Sequence, residues 1–255
     1  MINISEILSK YQPISLKDMS NITLMNRTDT KFITTLQMLK EVLISAKCDY
    51  QVQEISHCRI ASYHTTYLDT LRRDMYLAHH NGHAVREKIR IRTYLASDLT
   101  FLEVKNKNNK GRTDKKRIRI QNLDTIKQDG GNDFLNCHAW FRHEELLPTL
   151  ENSFHRVTLV NKRMTERLTI DTDISFRCLL TGRNISLNDI VVIELKRNGY
   201  TFSPIGTVLE HLRIRPSGFS KYCIGSALTS PSLKANLMKP KLRKIEKITN
   251  YKYDQ

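Results

Sequence analysis

No stretch of this sequence approaches the roughly 20 consecutive apolar residues that a membrane-crossing helix needs. The opening MINISEILSKYQ also lacks the basic-then-apolar pattern of a secretion signal. Secretion and membrane spanning are both disfavoured, and the cytoplasm is the expected location. Cys48, Cys58, Cys137, Cys178 and Cys223 are odd in number and include no C-x-x-C pair. They define neither a disulfide framework nor a thiolate zinc site, and they suit a reducing compartment. Glycine (9) and proline (6) are scarce in 255 residues, which argues against fibrous or long disordered stretches. There is no G-x-S-x-G elbow, P-loop or dinucleotide fingerprint, and no repeat of solenoid period. Acidic residues are in deficit, with 26 Asp+Glu against 41 Lys+Arg and a net charge of +15. Such an excess seeks an anionic partner.

With 40% hydrophobic residues the chain has enough apolar material for one sizeable folded domain. Ile4, Ile7, Leu8 and Tyr11 are spaced as in a short amphipathic helix ending near Pro13, a preface (residues 1–25) expected to pack outside. Residues 26–228 read mainly as about eight long extended segments. Helices are expected over 36–47, 204–212 and 220–228, with a helical insertion at about 133–150. Residues 229–255 are rich in Lys and Arg and read as a solvated basic tail, or alternatively as a docking segment for an acidic surface or anionic lipid.

Side chains on a strand alternate between two faces, and in five segments the faces differ sharply. Arg86, Lys88, Arg90 and Arg92 share one face, while Ile89 and Ile91 take the other. Glu103, Lys105 and Lys107 oppose Leu102 and Val104; Lys115, Arg117 and Arg119 oppose Ile118 and Ile120. Arg167, Thr169 and Asp171 oppose Leu168 and Ile170, and Glu194 and Lys196 oppose Val191, Ile193 and Leu195. A half-solvated antiparallel sheet would explain this simply. The crowding of Arg and Lys at every second position, with few neutral polar residues, fits better a barrel whose apolar faces point outward against helices and whose cations line the bore. Guanidinium groups grip phosphate oxygens in bidentate fashion and Lys adds point charge, so a phosphate-rich ligand suits the lining. Glu103 and Glu194, with Asp171 or Asp29, could hold a divalent metal bridging phosphate oxygens, against the plainer reading of internal ion pairs. The histidines at 79, 80 and 83, and at 138 and 143, complete no convincing metal set. A nucleic-acid binder is less expected, because isoleucines rather than aromatics interleave the cations.

The strings MNRTDTKFIT, SYHTTYLDT, REKIRIRTY, FLEVKNK, ERLTIDTDI, VVIELK and GFSKYCIG, in this order, resemble the VTC domain of polyphosphate polymerases, within the CYTH-like triphosphate tunnel metalloenzyme superfamily. The resemblance implies an α+β fold: an eight-stranded antiparallel tunnel with helices outside, in which the γ-phosphate of ATP passes to a polyphosphate chain with Mn²⁺ or Mg²⁺. It implies phosphate-handling roles for Lys31, Arg90, Arg92, Lys105, Arg163, Arg167 and Lys196, a metal role for Glu194, and an entrance role for Lys221. Arg27, Arg86, Lys88, Arg117 and Arg119 join as substrate contacts on the same faces, and Glu103 as a second metal candidate. Gly218 stands where some members have a lysine. Hydrolytic relatives carry E-x-E-x-K on the first strand, where this chain has Arg27, Asp29 and Lys31, which favours the polymerase type. Metal-dependent triphosphatase or nucleoside triphosphatase activity and a silent polyphosphate-binding role remain the alternatives. The implied partners are ATP and polyphosphate, triphosphate or pyrophosphate, with a membrane protein as a further candidate.

Overall fold

The computed structural model describes residues 3–19, 27–199 and 201–249. In chain order they form α1 (Ile4–Ser9), β1 (Gln12–Ile14), α2 (Leu16–Met19), β2 (Arg27–Thr35), α3 (Leu36–Ala46), β3 (Tyr50–Gln53), β4 (Ala61–Asp69), α4 (Asp74–His80), β5 (Arg86–Tyr94), β6 (Leu99–Lys107), β7 (Thr113–Ile120), α5 (Gly131–His138), β8 (Leu147–Asn161), β9 (Glu166–Cys178), β10 (Asn184–Leu187), β11 (Ile190–Asn198), α6 (Pro204–His211), α7 (Lys221–Thr229) and α8 (Lys239–Thr249). Eight strands run in the antiparallel order β2-β11-β9-β8-β4-β5-β6-β7. This is the expected eight-stranded fold. Among the described residues no pairing joins β2 to β7, so the tunnel wall keeps a seam. The segment before α7 lies against β2, with a bridge between Phe32 and Pro216 and a bond from Ser217 N to Lys31 O.

The apolar faces point outward under helices. Ile170, Ile193, Leu168 and Leu195 pack with Leu39 and Leu43 of α3, Ile205 and Leu209 of α6 and Ile7 and Leu8 of α1. Ile89, Ile91, Leu102 and Val104 meet Leu135 of α5. The insertion is helical over α5 and a short 3-10 turn at His143–Glu145, and Leu147–Leu150 already belong to β8.

One residue changes the parity of β9. The register with β8 shifts between Ser153 and His155, opposite Asp173, whose φ is +50°. This bulge lets Arg167, Thr169 and Asp171, then Ile174 and Phe176, face the same side. Ile174 and Phe176 cluster with Tyr63, Tyr67, Phe154 and Val192 of the concave wall and with Tyr222, Cys223 and Leu228 of α7. Helix α7 thus closes one end of the tunnel over an apolar floor.

The basic segment after residue 230 is not a solvated tail over its described length. Residues 239–249 form α8, whose Leu242 and Ile245 are fully buried in the cluster under α7, because two apolar residues three apart on a helix suffice to pin one face.

Candidate functional site: a cation-lined tunnel

The register carries each polar row around the bore. Lys31 stands opposite Glu194, and Glu194 opposite Thr169; Arg90 stands opposite Glu103, and Glu103 opposite Arg117; Lys88, Lys105 and Lys115 form a third row. The far walls also meet. Burial holds the Lys105 ammonium of β6 at about 8, and Arg90 beside it and Lys31 and Lys196 across the bore press in the same direction against Glu194. The cations therefore converge and the isoleucines do not.

Three carboxylates organise the lining, each held between two cations. Glu194 accepts from Lys31 Nζ at 2.6 Å and pairs with Lys196 Nζ at 3.0 Å. Glu103, 1% exposed, takes Arg90 Nε and Nη2 at 2.7 Å each and pairs with Lys115. Asp171 accepts a bidentate grip from Arg156, Nε at 2.6 Å and Nη2 at 2.8 Å, and pairs with Lys221. Burial alone would raise these carboxyl groups, but the paired cations outweigh it. Glu103 is lowered to about 2, and Glu194 and Asp171 fall well below the ordinary range. Each triplet keeps one net positive charge.

Other cations lack such a counter-charge. Among the described residues no carboxylate lies within ion-pair distance of Arg92, Lys88 or Lys105. Arg92, 7% exposed, donates Nε to Thr65 Oγ1 at 3.2 Å and stacks over Tyr63 and Phe154, 5.6 and 5.8 Å from their ring centroids. Burial, with Arg90 and Arg156 nearby, brings it down to about 10. Burial also lowers Lys88 and Lys221 to about 8. Buried like charges of this kind are stabilised by a bound anion.

The tunnel brings together Lys31, Arg90, Arg92, Lys105, Lys196, Lys88 and Lys221, and the register puts Arg167, opposite Lys196, on the same wall. Arg86 stands at the end of β5, its Nη1 donating to His83 O at 2.6 Å. Arg117 and Arg119 carry the face onto β7 but are exposed, Arg117 lying 4.5 Å over the Phe101 ring. Arg163 stands apart. It occupies the exposed turn joining β8 to β9, beyond the registers that carry the lumen face. The side chain of Arg27 lies outside the described residues. Glu103 does not suit a metal, because its carboxylate is 1% exposed between Arg90 and Lys115, whereas Glu194, also held by two cations, keeps 18% of its side chain open to the bore. Among the described residues no three metal-binding side chains cluster.

Sequence reasoning missed Arg156, although its signal was present: Phe154, Arg156 and Thr158 alternate with Val157 and Leu159, and the latter two face the outer core.

An antiparallel sheet wrapped round a cation-lined bore defines a tunnel-fold protein with a lumen that seeks anions. The chain belongs to the VTC domain family, which matches residues 26–230. Solved structures similar to it include a candidate adenylate cyclase from Vibrio parahaemolyticus (11% identity, 79% of this chain and 99% of that one, TM-score 0.45). Others are a candidate adenylyl cyclase from Hippeastrum, described by a dominant triphosphatase activity (16%, 80% and 96%, 0.48), and a conserved hypothetical protein from Pyrococcus furiosus (12%, 77% and 99%, 0.41). Likeness this remote carries nothing about substrate. No curated protein matches the chain.

Proposed function

We propose that the protein is a polyphosphate polymerase-type phosphotransferase. The observation that supports this reading is the convergence of Lys31, Lys88, Arg90, Arg92, Lys105, Arg156, Lys196 and Lys221 on one bore, with the carboxylates of Glu103, Asp171 and Glu194 paired among them. A linear phosphate anion is the ligand whose charge density matches that lining. In the reaction the bond between the γ-phosphorus of ATP and its bridging oxygen breaks, ADP leaves, and a terminal oxygen of the chain bonds to the phosphorus. Such transfer depends on alignment and charge neutralisation more than on acid-base chemistry. Lys31, Arg90, Arg92, Lys105 and Lys196 hold the triphosphate. Arg156, which shares the Tyr63 and Phe154 rings with Arg92, and Arg167, the cross-strand neighbour of Lys196, hold the phosphoryl group in transit or the chain, with Lys221 at the α7 end.

Mn²⁺ or Mg²⁺ fits Glu194, a carboxylate kept ionised by its surroundings, with Asp29 beside it through the pairing of Asp29 with Lys196. When bound, the ion supplies further neutralisation of phosphate oxygens; one or two carboxylates with phosphate oxygens suffice for Mg²⁺. The test is incubation with ATP and Mn²⁺ followed by gel analysis. Acid-labile polymer longer than triphosphate is expected, whereas ADP with orthophosphate alone would make the protein a triphosphatase.

A further inference from the structure

A further group of cations, which shares Lys88 with the lining, gathers where α7 closes the tunnel. Arg86 stands directly opposite Lys107, and Lys88 opposite Lys105. Like charges facing each other across adjacent strands are unfavourable unless something neutralises them. Lys88 Nζ donates to Ser220 Oγ at 3.1 Å, the hydroxyl that also caps α7. Among the described residues no carboxylate lies within 4.0 Å of the Arg86, Lys88, Lys107 or Lys241 charge.

Lys241 reaches this place from α8, outside the residues that match the family. Its Nζ lies 3.6 Å from the point where a Cβ on Gly218 would sit. The missing side chain leaves room for an ammonium supplied from elsewhere in the chain. The position of α8 is secured: Tyr76 of α4 donates to Lys234 O at 2.9 Å, Leu237 N donates to His80 Nε2 at 3.2 Å, and Leu242 and Ile245 are buried.

His79 reports the field. Its Nδ1 is buried without a hydrogen-bond partner among the described residues. Burial, then Lys88, Arg86, Lys241 and Lys107 together, hold the imidazole neutral down to about pH 2. Cys223 of α7 feels Lys88, Lys241 and Arg86 as well.

We propose that Lys241, with Arg86, Lys88 and Lys107, forms a second anion site at the α7 end of the tunnel, completed by the C-terminal helix and taking phosphate oxygens beyond those held in the bore. As the distal part of a bound chain, its occupant presupposes the phosphate-binding reading of the lumen. A free phosphate would use the same contacts without it.

The test compares Lys241→Met, Lys107→Met and Lys241→Arg with the unaltered full chain. Affinity for triphosphate, long-chain polyphosphate and orthophosphate is measured by calorimetry over a range of salt. Both methionine variants are expected to bind long polyphosphate several-fold more weakly, with a salt slope shallower by roughly one unit, and to bind triphosphate unchanged; Lys241→Arg retains affinity. Weakening confined to orthophosphate would assign the site to a free anion. No change with any of the three ligands, in variants that melt as the parent does, would overturn the site. If the parent binds neither triphosphate nor polyphosphate while orthophosphate binding still depends on Lys241, the site stands and the proposed function falls.

Discussion

Lys105 and Arg90 occupy neighbouring strands of one bore, yet their substitutions should differ. The Lys105 ammonium is half-buried among cations with no carboxylate within ion-pair distance among the described residues, so Lys105→Met removes repulsion as well as a phosphate contact. Turnover should fall by about 10²–10³, the usual cost of one electrostatic contact to a transition state, with an unchanged or higher melting temperature; a lower one would place Lys105 in the packing. Arg90→Ala leaves the buried Glu103 with Lys115 alone and should also cost roughly 1–3 kcal/mol of stability, measurable by denaturant titration and reduced by adding Glu103→Gln. The lysines give a pH signature. Lys88, Lys105 and Lys221 lie at about 8 when folded and near 10.4 when unfolded. Between those values the unfolded chain binds more protons, so their contribution makes the empty protein more stable as pH rises from about 8 to about 10. Affinity for a phosphate anion falls over the same range. At pH 8 triphosphate binding should take up protons, seen as a dependence of calorimetric heat on buffer ionisation enthalpy. Absence of uptake would mean that these ammonium groups do not face the ligand.

At the scale of elements, α7 depends on one close approach. A Cβ on Gly225 would lie 2.4 Å from Phe176 Cδ1 on the β9 floor, so Gly225→Ala should cost about 1–3 kcal/mol through overpacking, lowering the melting temperature of the whole domain. An unchanged melting temperature would show that α7 can lift from the sheet. The same floor marks where the sequence stopped being legible. Strands β5, β6 and β11 announce both faces by alternation, broken only at single positions such as Glu87 and Val192, and most lumen residues could be read from it. In β9 the alternation breaks at Asp173, and the chain reads there as two strands, one ending at Asp173 and another starting at Ser175, although Glu166–Cys178 is continuous. A bulge is visible only with its partner strand in place. Arg163 entered through the resemblance alone, and alternation offered nothing for it, since it falls between two strands in the exposed turn after β8. Helix α8 was hidden by its own charge, its lysines and arginines outnumbering Leu242, Ile245 and Ile248, which hold it.

For the molecule as a whole, the open seam gives the surface charge a second duty. One side of it is β2, already lined by the segment before α7; the other is β7, with Thr113–Arg117 exposed and no neighbour beyond it among the described residues. An unpaired strand edge is a template on which another chain can add a strand. Lys116 and Arg117 are exposed along that edge, so two copies approaching edge to edge meet matching positive charge. Replacing both with threonine, a good strand former, should leave the melting temperature little changed while light scattering shows earlier self-association. A protein that stays monodisperse would show that other parts of the surface keep copies apart. The positive excess that attracts phosphate would then also serve as the molecule's protection against polymerising with itself.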